Sequence, residues 1–201
     1  MKKGFLIIIS SPSGCGKTTI REELLKLDKN LLYSISCTTR PPRKGEKNGK
    51  DYFFLSEEEF HKKIKNNEFL EWAEVHGYLY GTPKEFIEKN LKEGKIIVMD
   101  IDVQGAEKIK KKKIPAVFVF LLPPSWEELK KRLTKRGTED KKEMEMRLIR
   151  AKEEMKYYPL YDYLVVNRTI PETVEEVYAI IKAEKRKRER MEEWLKENLS
   201  V

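Results

Sequence analysis

The stretch at positions 5–19 limits the possible folds of this chain more than any other. It begins with the apolar run 5–9, which is typical of a strand buried on both faces of a parallel sheet. A polar turn with Gly14 and Gly16 follows, and the Lys-Thr-Thr sequence at 17–19 leads into a segment with apolar residues at helical spacing. Strand, glycine-containing turn, Lys-Thr and helix together predict a phosphate-binding loop.

The chemistry of such a loop follows from its backbone. Glycines let N–H groups turn towards phosphate oxygens, and the helix N-terminus adds the positive end of its dipole. We expect Lys17 to reach the outer phosphates and the Thr18 hydroxyl to ligate Mg²⁺. The strict motif begins with Gly, where this chain has Ser11. A Ser/Gly-rich turn before a helix is the alternative, but the other motif residues all stand at the correct positions.

Charge and cysteine content narrow the function classes. The chain has 201 residues, which fits one domain with a sizeable core, and a net charge of +8. This charge either attracts polyanions such as nucleotides and nucleic acid or reflects a lysine-rich surface without a partner. Two cysteines without CxxC spacing and two scattered histidines form no zinc motif and predict a reducing, cytoplasmic compartment. No apolar run approaches the length of a membrane span, so no membrane contact is expected.

Strand and helix patterns alternate along most of the chain, which predicts an α/β fold with helices on both faces of a sheet. A Pro- and Gly-broken polar loop, small strands and one helix interrupt this alternation, and we interpret them as an inserted subdomain. Ser56 and Glu59 predict a capping box at the start of the helix in this segment. Positions 78–81 are predicted as a turn, and Thr82-Pro83 as a helix start capped by the Thr82 hydroxyl. The predicted single domain, 1–201, divides into a core (1–35, 82–124 and 156–201), the inserted subdomain (36–81) and a helical region (125–155).

The end of the chain is strongly basic. Five of the six residues at 185–190 are Lys or Arg. Such a run either contacts nucleic acid or forms the solvated face of a terminal helix, and the second is the commoner case. We therefore expect 185–201 to be a solvated helix whose removal leaves activity largely unchanged.

Seven short motifs occur in the chain in a characteristic order. They are SGCGKT at 13–18, SCTTRPPR at 36–43, NGKDY at 48–52, EFLEW at 68–72, YGT at 80–82, DIDVQG at 100–105 and RGTE at 136–139. In these motifs the chain resembles the guanylate kinase family, from about position 4 to about position 167. One such motif would be weak evidence, whereas seven in the family's order are specific.

The resemblance implies a P-loop three-layer α/β fold with a central parallel sheet, in which 36–81 is a GMP-binding subdomain and 125–155 is a helical lid region. It implies a guanylate kinase that transfers the γ-phosphoryl group of ATP to GMP, giving ADP and GDP, with Mg²⁺, in purine nucleotide metabolism. The implied partners are ATP and GMP or dGMP, with no nucleic acid and no membrane. The implied protein is a cytoplasmic monomer or homodimer.

The family pattern assigns the acceptor nucleotide to the inserted segment. Arg40 and Arg43 can clamp a dianionic phosphate with bidentate forks, and two tyrosine hydroxyls add hydrogen bonds. Glu71 is acceptor-only when ionised, so it suits the N1–H and the amine of guanine. The predicted GMP-binding residues are Ser36, Arg40, Arg43, Tyr52, Glu71, Tyr80, Thr82 and Asp102.

The family pattern also predicts an ATP and metal site. Asp100 ends a predicted strand and is expected to bind Mg²⁺ through water, beside Thr18 as a ligand, with a helix-capping role as its alternative. Lid arginines are expected to neutralise charge on the transferring phosphoryl group. The predicted catalytic residues are Lys17, Arg40, Arg136 and Arg147. The predicted ATP-binding residues are Ser11, Pro12, Ser13, Gly14, Cys15, Gly16, Lys17, Thr18, Thr19, Arg132, Arg136 and Asn167. Many family members follow that Asn with an acid, where this chain has Arg168.

Three other functions are compatible with parts of the sequence. A non-catalytic scaffold domain of the same fold would bind peptides, but such domains typically have a degraded phosphate loop, and Lys17 and Thr18 are present here. A P-loop protein acting on nucleic acid would leave the motifs between Arg40 and Tyr52 unexplained. A kinase for a phosphorylated sugar should lack Glu71 as a reader of guanine.

Overall fold

The computed structural model describes residues 4–75, 77–134 and 141–199. The strands are β1 (Phe5–Ser10), β2 (Leu31–Tyr33), β3 (Cys37–Thr38), β4 (Phe53–Phe54), β5 (Phe69–Val75), β6 (Tyr78–Pro83), β7 (Ile96–Asp100), β8 (Ala116–Leu122) and β9 (Tyr163–Val166). The helices are α1 (Lys17–Leu27), α2 (Glu57–Lys65), α3 (Lys84–Lys92), α4 (Val103–Lys111), α5 (Trp126–Thr134), α6 (Lys141–Met155), α7 (Ile170–Glu184) and α8 (Arg188–Leu199), with a short 3₁₀ helix at Tyr158–Leu160. Within the described ranges, no helix is both long enough and apolar enough to cross a bilayer.

The larger sheet has the strand order β2-β7-β1-β8-β9, and all neighbouring strands are parallel. All six residues of the central strand β1 are buried. Ile7 and Ile9 pack into one apolar cluster with residues of α1 and α7, whereas Leu6 and Ile8 pack into another with residues of α4. Because β1 is covered on both faces, its first five residues, 5–9, form an unbroken apolar run. The predicted α/β fold with a central parallel sheet is confirmed.

A second sheet has the order β4-β3-β6-β5 and is formed by segments between Cys37 and Pro83. Its strands β5 and β6 form an antiparallel hairpin, and β6 also pairs with β3. The turn predicted at 78–81 is therefore wrong, because these residues form the first part of β6. The boundaries and the GMP-binding role assigned to 36–81 stay predictions.

The helices that flank this second sheet begin in different ways. At α2 the Ser56 hydroxyl accepts from the Glu59 N–H, and the Glu59 carboxylate accepts from the Ser56 N–H, which is the predicted capping box. At α3 the N-cap is Pro83, with no side-chain cap. The predicted Thr82 cap is wrong, since the Thr82 hydroxyl donates to Glu71 instead.

Arg190, in the C-terminal helix α8, contacts both a buried carboxylate and an aromatic ring of the core. Glu184, at the end of α7, is only 1 % exposed and accepts from the Arg190 guanidinium at 3.0 Å and the Tyr163 hydroxyl at 2.7 Å. The Arg190 guanidinium carbon also lies 4.1 Å from the ring centroid of Phe5 in β1. Within the basic run that was predicted as a solvated face, Arg190 is therefore partly buried, because it lies against Glu184 and Phe5.

We expect Arg190→Met to lower the free energy of unfolding by about 2 kcal/mol, because a buried carboxylate loses its arginine. The effect stays below that of a fully broken buried pair, since Glu184 keeps Tyr163 and its contact with Lys187 at 2.7 Å. Arg188→Met is the matched control, because the Arg188 side chain is 81 % exposed. Urea unfolding measures both, and equal effects of the two substitutions would show that the contacts of Arg190 do not stabilise the fold.

Candidate active site

The phosphate loop connects β1 to α1 and depends on two glycines with left-handed backbones. Gly14 has φ 89° and Gly16 has φ 82°. A Cβ on Gly14 would lie 2.8 Å from Leu133 Cδ2, and one on Gly16 would lie 3.2 Å from the Asn167 amide nitrogen. Both conformation and close packing therefore require glycine at these positions.

The back of the phosphate loop packs against the helices of the predicted lid region. The Cys15 side chain is buried in a small cluster with Leu129, Leu133 and Ala151. Burial raises the pKa of the Cys15 thiol to about 12, so it acts as a packing residue in its neutral form. The Asn167 side-chain amide donates to the Cys15 carbonyl at 2.6 Å. Asn167 is thus placed behind the loop, and its predicted role in ATP binding stays a prediction.

The adjacent strands β1 and β7 bring Lys17 and Asp100 to the same edge of the sheet. Ile9 in β1 is level with Asp100 in β7. Lys17 Nζ donates to the Ile101 carbonyl at 3.3 Å, directly after β7. Since the carboxyl ends of parallel strands meet at one edge, the predicted proximity of the loop and Asp100 is present in the structure.

Asp100 is held by two side chains that the sequence did not assign to the site. The Tyr33 hydroxyl donates to Asp100 Oδ1 at 3.0 Å, and the Arg21 guanidinium lies 3.5 Å from the same atom. Burial lowers the pKa of Arg21, but the charge of Asp100 and the nearby Tyr33 more than offset this and raise it overall. Asp100 is thus not a helix cap. That role belongs to Asp102, whose Oδ1 accepts from the N–H groups of residues 104 and 105 in the first turn of α4.

A second polar cluster lies at the start of the inserted segment, around Arg40. Arg40 is 8 % exposed, and its Nε–H donates to the Tyr80 hydroxyl at 3.2 Å. One terminal nitrogen of Arg40 donates to both carboxylate oxygens of Glu46, at 2.8 and 3.0 Å. The Tyr52 ring centroid lies 5.5 Å from the Arg40 guanidinium carbon and 6.0 Å from the Tyr80 centroid. Burial raises the pKa of Tyr52 to about 12, so its hydroxyl remains a donor.

Three of the four residues predicted for the acceptor phosphate are therefore together. Arg43 is exposed, and its backbone N–H donates to Glu46 Oε2 at 2.6 Å. Glu46 was missed at the sequence level, although it stands six residues after Arg40 in the same polar loop. Its bonds to Arg40 and Arg43 fix the shape of this loop.

Three of the predicted base-reading residues lie close together between β5, β6 and α4. The Thr82 hydroxyl donates to Glu71 Oε1 at 2.6 Å, and Glu71 is 7 % exposed. A Cβ on Gly105 would lie 2.8 Å from Glu71 Oε2 and 3.4 Å from Asp102 Oδ2, so Asp102 lies beside this pair. Burial, with a smaller contribution from Asp102, raises the pKa of Glu71 to about 7, although the Thr82 bond opposes this. Ser36 is half-buried just before β3.

Two of the three predicted lid arginines lie in the described structure and contact the loop region. Arg132 donates to Glu128 at 2.9 Å and to the Asn167 carbonyl at 3.1 Å. Arg147 donates to the Ser13 hydroxyl at 3.4 Å. The third, Arg136, lies outside the described residues. A phosphate loop at the edge of a parallel sheet, with α5 and α6 packed on it, defines the class of P-loop α/β proteins.

Comparison with known proteins gives the family. The guanylate kinase family model matches residues 3–184. The guanylate kinase of Caldanaerobacter subterraneus subsp. tengcongensis is 53% identical over 184 residues, which cover 92% of this chain and 89% of that protein. The guanylate kinase of Thermotoga maritima is 50% identical over 185 residues, with 92% and 89% covered. The crystal structure of guanylate kinase from Anaplasma phagocytophilum has a TM-score of 0.83 at 35% identity and covers 100% of this chain and 98% of that chain. The chain belongs to the guanylate kinase family.

Membership of this family confirms the resemblance drawn from the seven motifs, together with the nucleotide-kinase class of transferase. The matched residues end before α8, which begins at Arg188. The role of each individual site residue stays a prediction.

Proposed function

We propose that this protein transfers the γ-phosphoryl group of ATP to GMP, giving ADP and GDP, with dGMP as a second acceptor. The observation that carries the proposal is the buried Glu71–Thr82 pair, which joins β5 to β6 in the inserted segment rather than in the phosphate loop. In this proposal the pair reads the acceptor base. A chain with both sites can hold two nucleotides at once, as a phosphoryl transfer between them requires.

The acceptor phosphate is bound by the Arg40 cluster in this proposal. Arg40 is preorganised, since Glu46, Tyr80 and the Pro41 carbonyl already hold its guanidinium. One N–H of its fork and the Tyr52 and Tyr80 hydroxyls are left to face the phosphate, with the exposed Arg43 as a second cation. A preorganised donor loses less entropy when the phosphate binds.

Guanine is read by Glu71 as a carboxylate. The N1–H and the 2-amino group of guanine are both donors, and an ionised carboxylate offers two acceptor oxygens to them. Adenine has an unprotonated N1 and no 2-amino group, so it would leave the buried carboxylate unpaired. Thr82 holds one oxygen of Glu71 in place at 2.6 Å.

ATP is bound by the phosphate loop, and Mg²⁺ by Thr18 and, through water, by Asp100. Mg²⁺ commonly takes one or two protein oxygens and completes its octahedron with water and phosphate oxygens. The Thr18 hydroxyl and the Asp100 carboxylate are hard oxygen donors of this type, so the residues present fit the ion. Mg²⁺ would neutralise phosphate charge, while Lys17 and Arg147 approach the transferring group from the protein.

Two further properties belong to the proposal. We place the protein in the cytoplasm as a monomer or homodimer, with nucleotides rather than nucleic acid or membrane as its partners. The free, buried thiols of Cys15 and Cys37 are consistent with a reducing compartment. A sugar kinase or a nucleic-acid enzyme would leave the Glu71–Thr82 pair without a ligand.

A coupled assay for ADP formation, with ATP, Mg²⁺ and each nucleoside monophosphate in turn, tests the proposed function. We expect rapid turnover with GMP, lower turnover with dGMP, and almost none with AMP, CMP or UMP. Equal use of AMP and GMP, or ADP formation that does not depend on an acceptor, would contradict it.

Glu46→Gln tests the preorganisation of Arg40. We expect KM for GMP to rise about tenfold, since a charge-assisted bond to Glu46 contributes about 1.5–3 kcal/mol to holding the fork. KM for ATP should stay unchanged because the phosphate loop is untouched. Glu58→Gln, at an exposed position in the first turn of α2, is the matched control. Steady-state kinetics with GMP varied at saturating ATP measure the effect, and an unchanged KM for GMP would show that Arg40 does not need Glu46.

A further inference from the structure

Helix α6 contacts the phosphate loop through an acidic side chain to which the proposed function gives no role. The backbone N–H of Ser13 donates to Glu154 Oε2 at 2.9 Å. Ser13 lies in the phosphate loop and Glu154 in the last turn of α6, 141 positions later. The contact therefore joins the lid region directly to the loop that holds the donor phosphates.

The same face of α6 makes three contacts with the loop. Arg147 donates to the Ser13 hydroxyl at 3.4 Å, so Ser13 bonds to α6 through both its backbone and its side chain. Ala151, fully buried, packs with Cys15. Positions 147, 151 and 154 are four and three residues apart, which places them on one face of a helix. Glu154 thus holds the C-terminal end of this face, two turns from Arg147.

An acid at this place has an electrostatic cost. Burial raises the pKa of Glu154, although the Ser13 N–H and Lys17 oppose the shift, and Asp102 adds to it. A carboxylate near a polyphosphate site also repels the ligand that the site is built to bind. Attraction of substrate therefore does not explain an acid at this position. Its hydrogen bond to the Ser13 N–H, however, fixes α6 relative to the phosphate loop.

We propose that Glu154 is a positioning residue for phosphoryl transfer. It fixes α6 on the phosphate loop and so holds the Arg147 side chain where it can reach the γ-phosphoryl group of bound ATP. The inference rests on the proposed function, because it requires Arg147 to act on the transferring group. Displacement of a catalytic group by 1 Å costs on the order of 10²-fold in rate. Since Ala151 and Arg147 themselves still contact the loop in a variant of Glu154, we expect a smaller loss, of about tenfold.

The first experiment compares Glu154→Ala and Glu154→Gln with the wild type. The alanine variant should lower kcat about tenfold, with KM for ATP and GMP within about twofold, because positioning acts on the transition state rather than on binding. The glutamine variant should stay within about threefold of wild type, because its amide oxygen can still accept from the Ser13 N–H. Glu153→Gln is the matched control, since Glu153 is exposed and pairs with Lys156.

The second experiment is a double-mutant cycle with Arg147→Lys. Lysine keeps the charge but lacks the planar guanidinium fork of arginine. The orientation of α6 that Glu154 fixes should therefore matter less for a lysine at position 147. We expect Glu154→Ala to lower kcat less than about threefold on this background, against about tenfold alone. A merely structural role of Glu154 would give the same fold-loss on both backgrounds.

Each remaining outcome has a definite meaning. An unchanged kcat in Glu154→Ala, or an equal loss on both backgrounds, overturns the inference. A lower KM for ATP at unchanged kcat overturns it too, because Glu154 would then compete with phosphate. If the alanine variant does not fold, Glu154→Asp carries the test, since its shorter side chain cannot reach Ser13 and should show the same loss. A wild type that does not phosphorylate GMP overturns the proposed function itself, which separates the two failures.

Discussion

Lys17→Ala is expected to lower kcat with ATP and GMP by about 10²–10³-fold, because one charge that stabilises the transferring phosphoryl group is lost. In the described structure Lys17 Nζ donates only weakly, to the Ile101 carbonyl at 3.3 Å, and Lys17 belongs to neither large apolar cluster of the core. Folding should therefore be unaffected. Steady-state kinetics and thermal unfolding of the same preparation measure the two effects separately.

Two further variants sharpen the Lys17 test. Lys26→Ala removes an exposed lysine at the other end of α1 that pairs with Glu23, so it controls for the change in net charge. Lys17→Arg keeps the charge but changes its shape and reach, and should recover only part of the activity. An alanine variant within a few-fold of wild type would show that the loop at 11–18 does not hold the transferring phosphates.

The features that could be predicted from sequence are those set by neighbouring residues. The phosphate loop was predicted because strand, glycines, lysine and helix follow each other within fifteen positions. The capping box of α2 was predicted for the same reason, since Ser56 and Glu59 are three residues apart. The local pattern also placed Asp100 at the end of a strand, and the expected parallel sheet then placed that end beside the loop.

The features that were missed depend on contacts between distant segments. Strand β6 was mistaken for a turn because its pairing with β3 and β5 decides its conformation, not its own composition. The Thr82 hydroxyl was predicted to cap α3, but it donates a hydrogen bond to Glu71, eleven residues earlier. Glu154 gives no local signal, since it is one acid among several in a charged helix and its partner is Ser13.

The burial of Glu71 also could not be predicted from sequence, and it determines the strongest prediction about base choice. We expect Glu71→Gln to lower kcat/KM for GMP about 10²-fold, because one acceptor becomes a donor facing a donor edge of guanine. The preference for GMP over AMP, about 10⁴-fold in a site of this kind, should narrow by the same factor. Measurement of kcat/KM for both nucleotides decides this, with Glu74→Gln, exposed on the same strand, as the control. An unchanged ratio would show that Glu71 does not read the base.

Although Glu71→Gln should impair activity, it should raise the free energy of unfolding of the nucleotide-free protein, relative to the wild type, as the pH increases. Burial raises the pKa of Glu71 from 4.5 to about 7, so the folded state binds more protons than the unfolded state between these values. The contribution of this group to the unfolding free energy is therefore fully present below pH 4.5 and is lost as the pH rises through about 7. The total loss is about 3 kcal/mol. Glutamine does not titrate. The difference in unfolding free energy between Glu71→Gln and the wild type should therefore shift by about 2–3 kcal/mol in favour of the variant from pH 5 to pH 8. Urea unfolding at both pH values measures this difference, and a constant difference would mean that the carboxylate is not desolvated. A variant that is more stable at pH 8 and yet poor at using GMP would show that Glu71 is kept at this position for base recognition and not for folding.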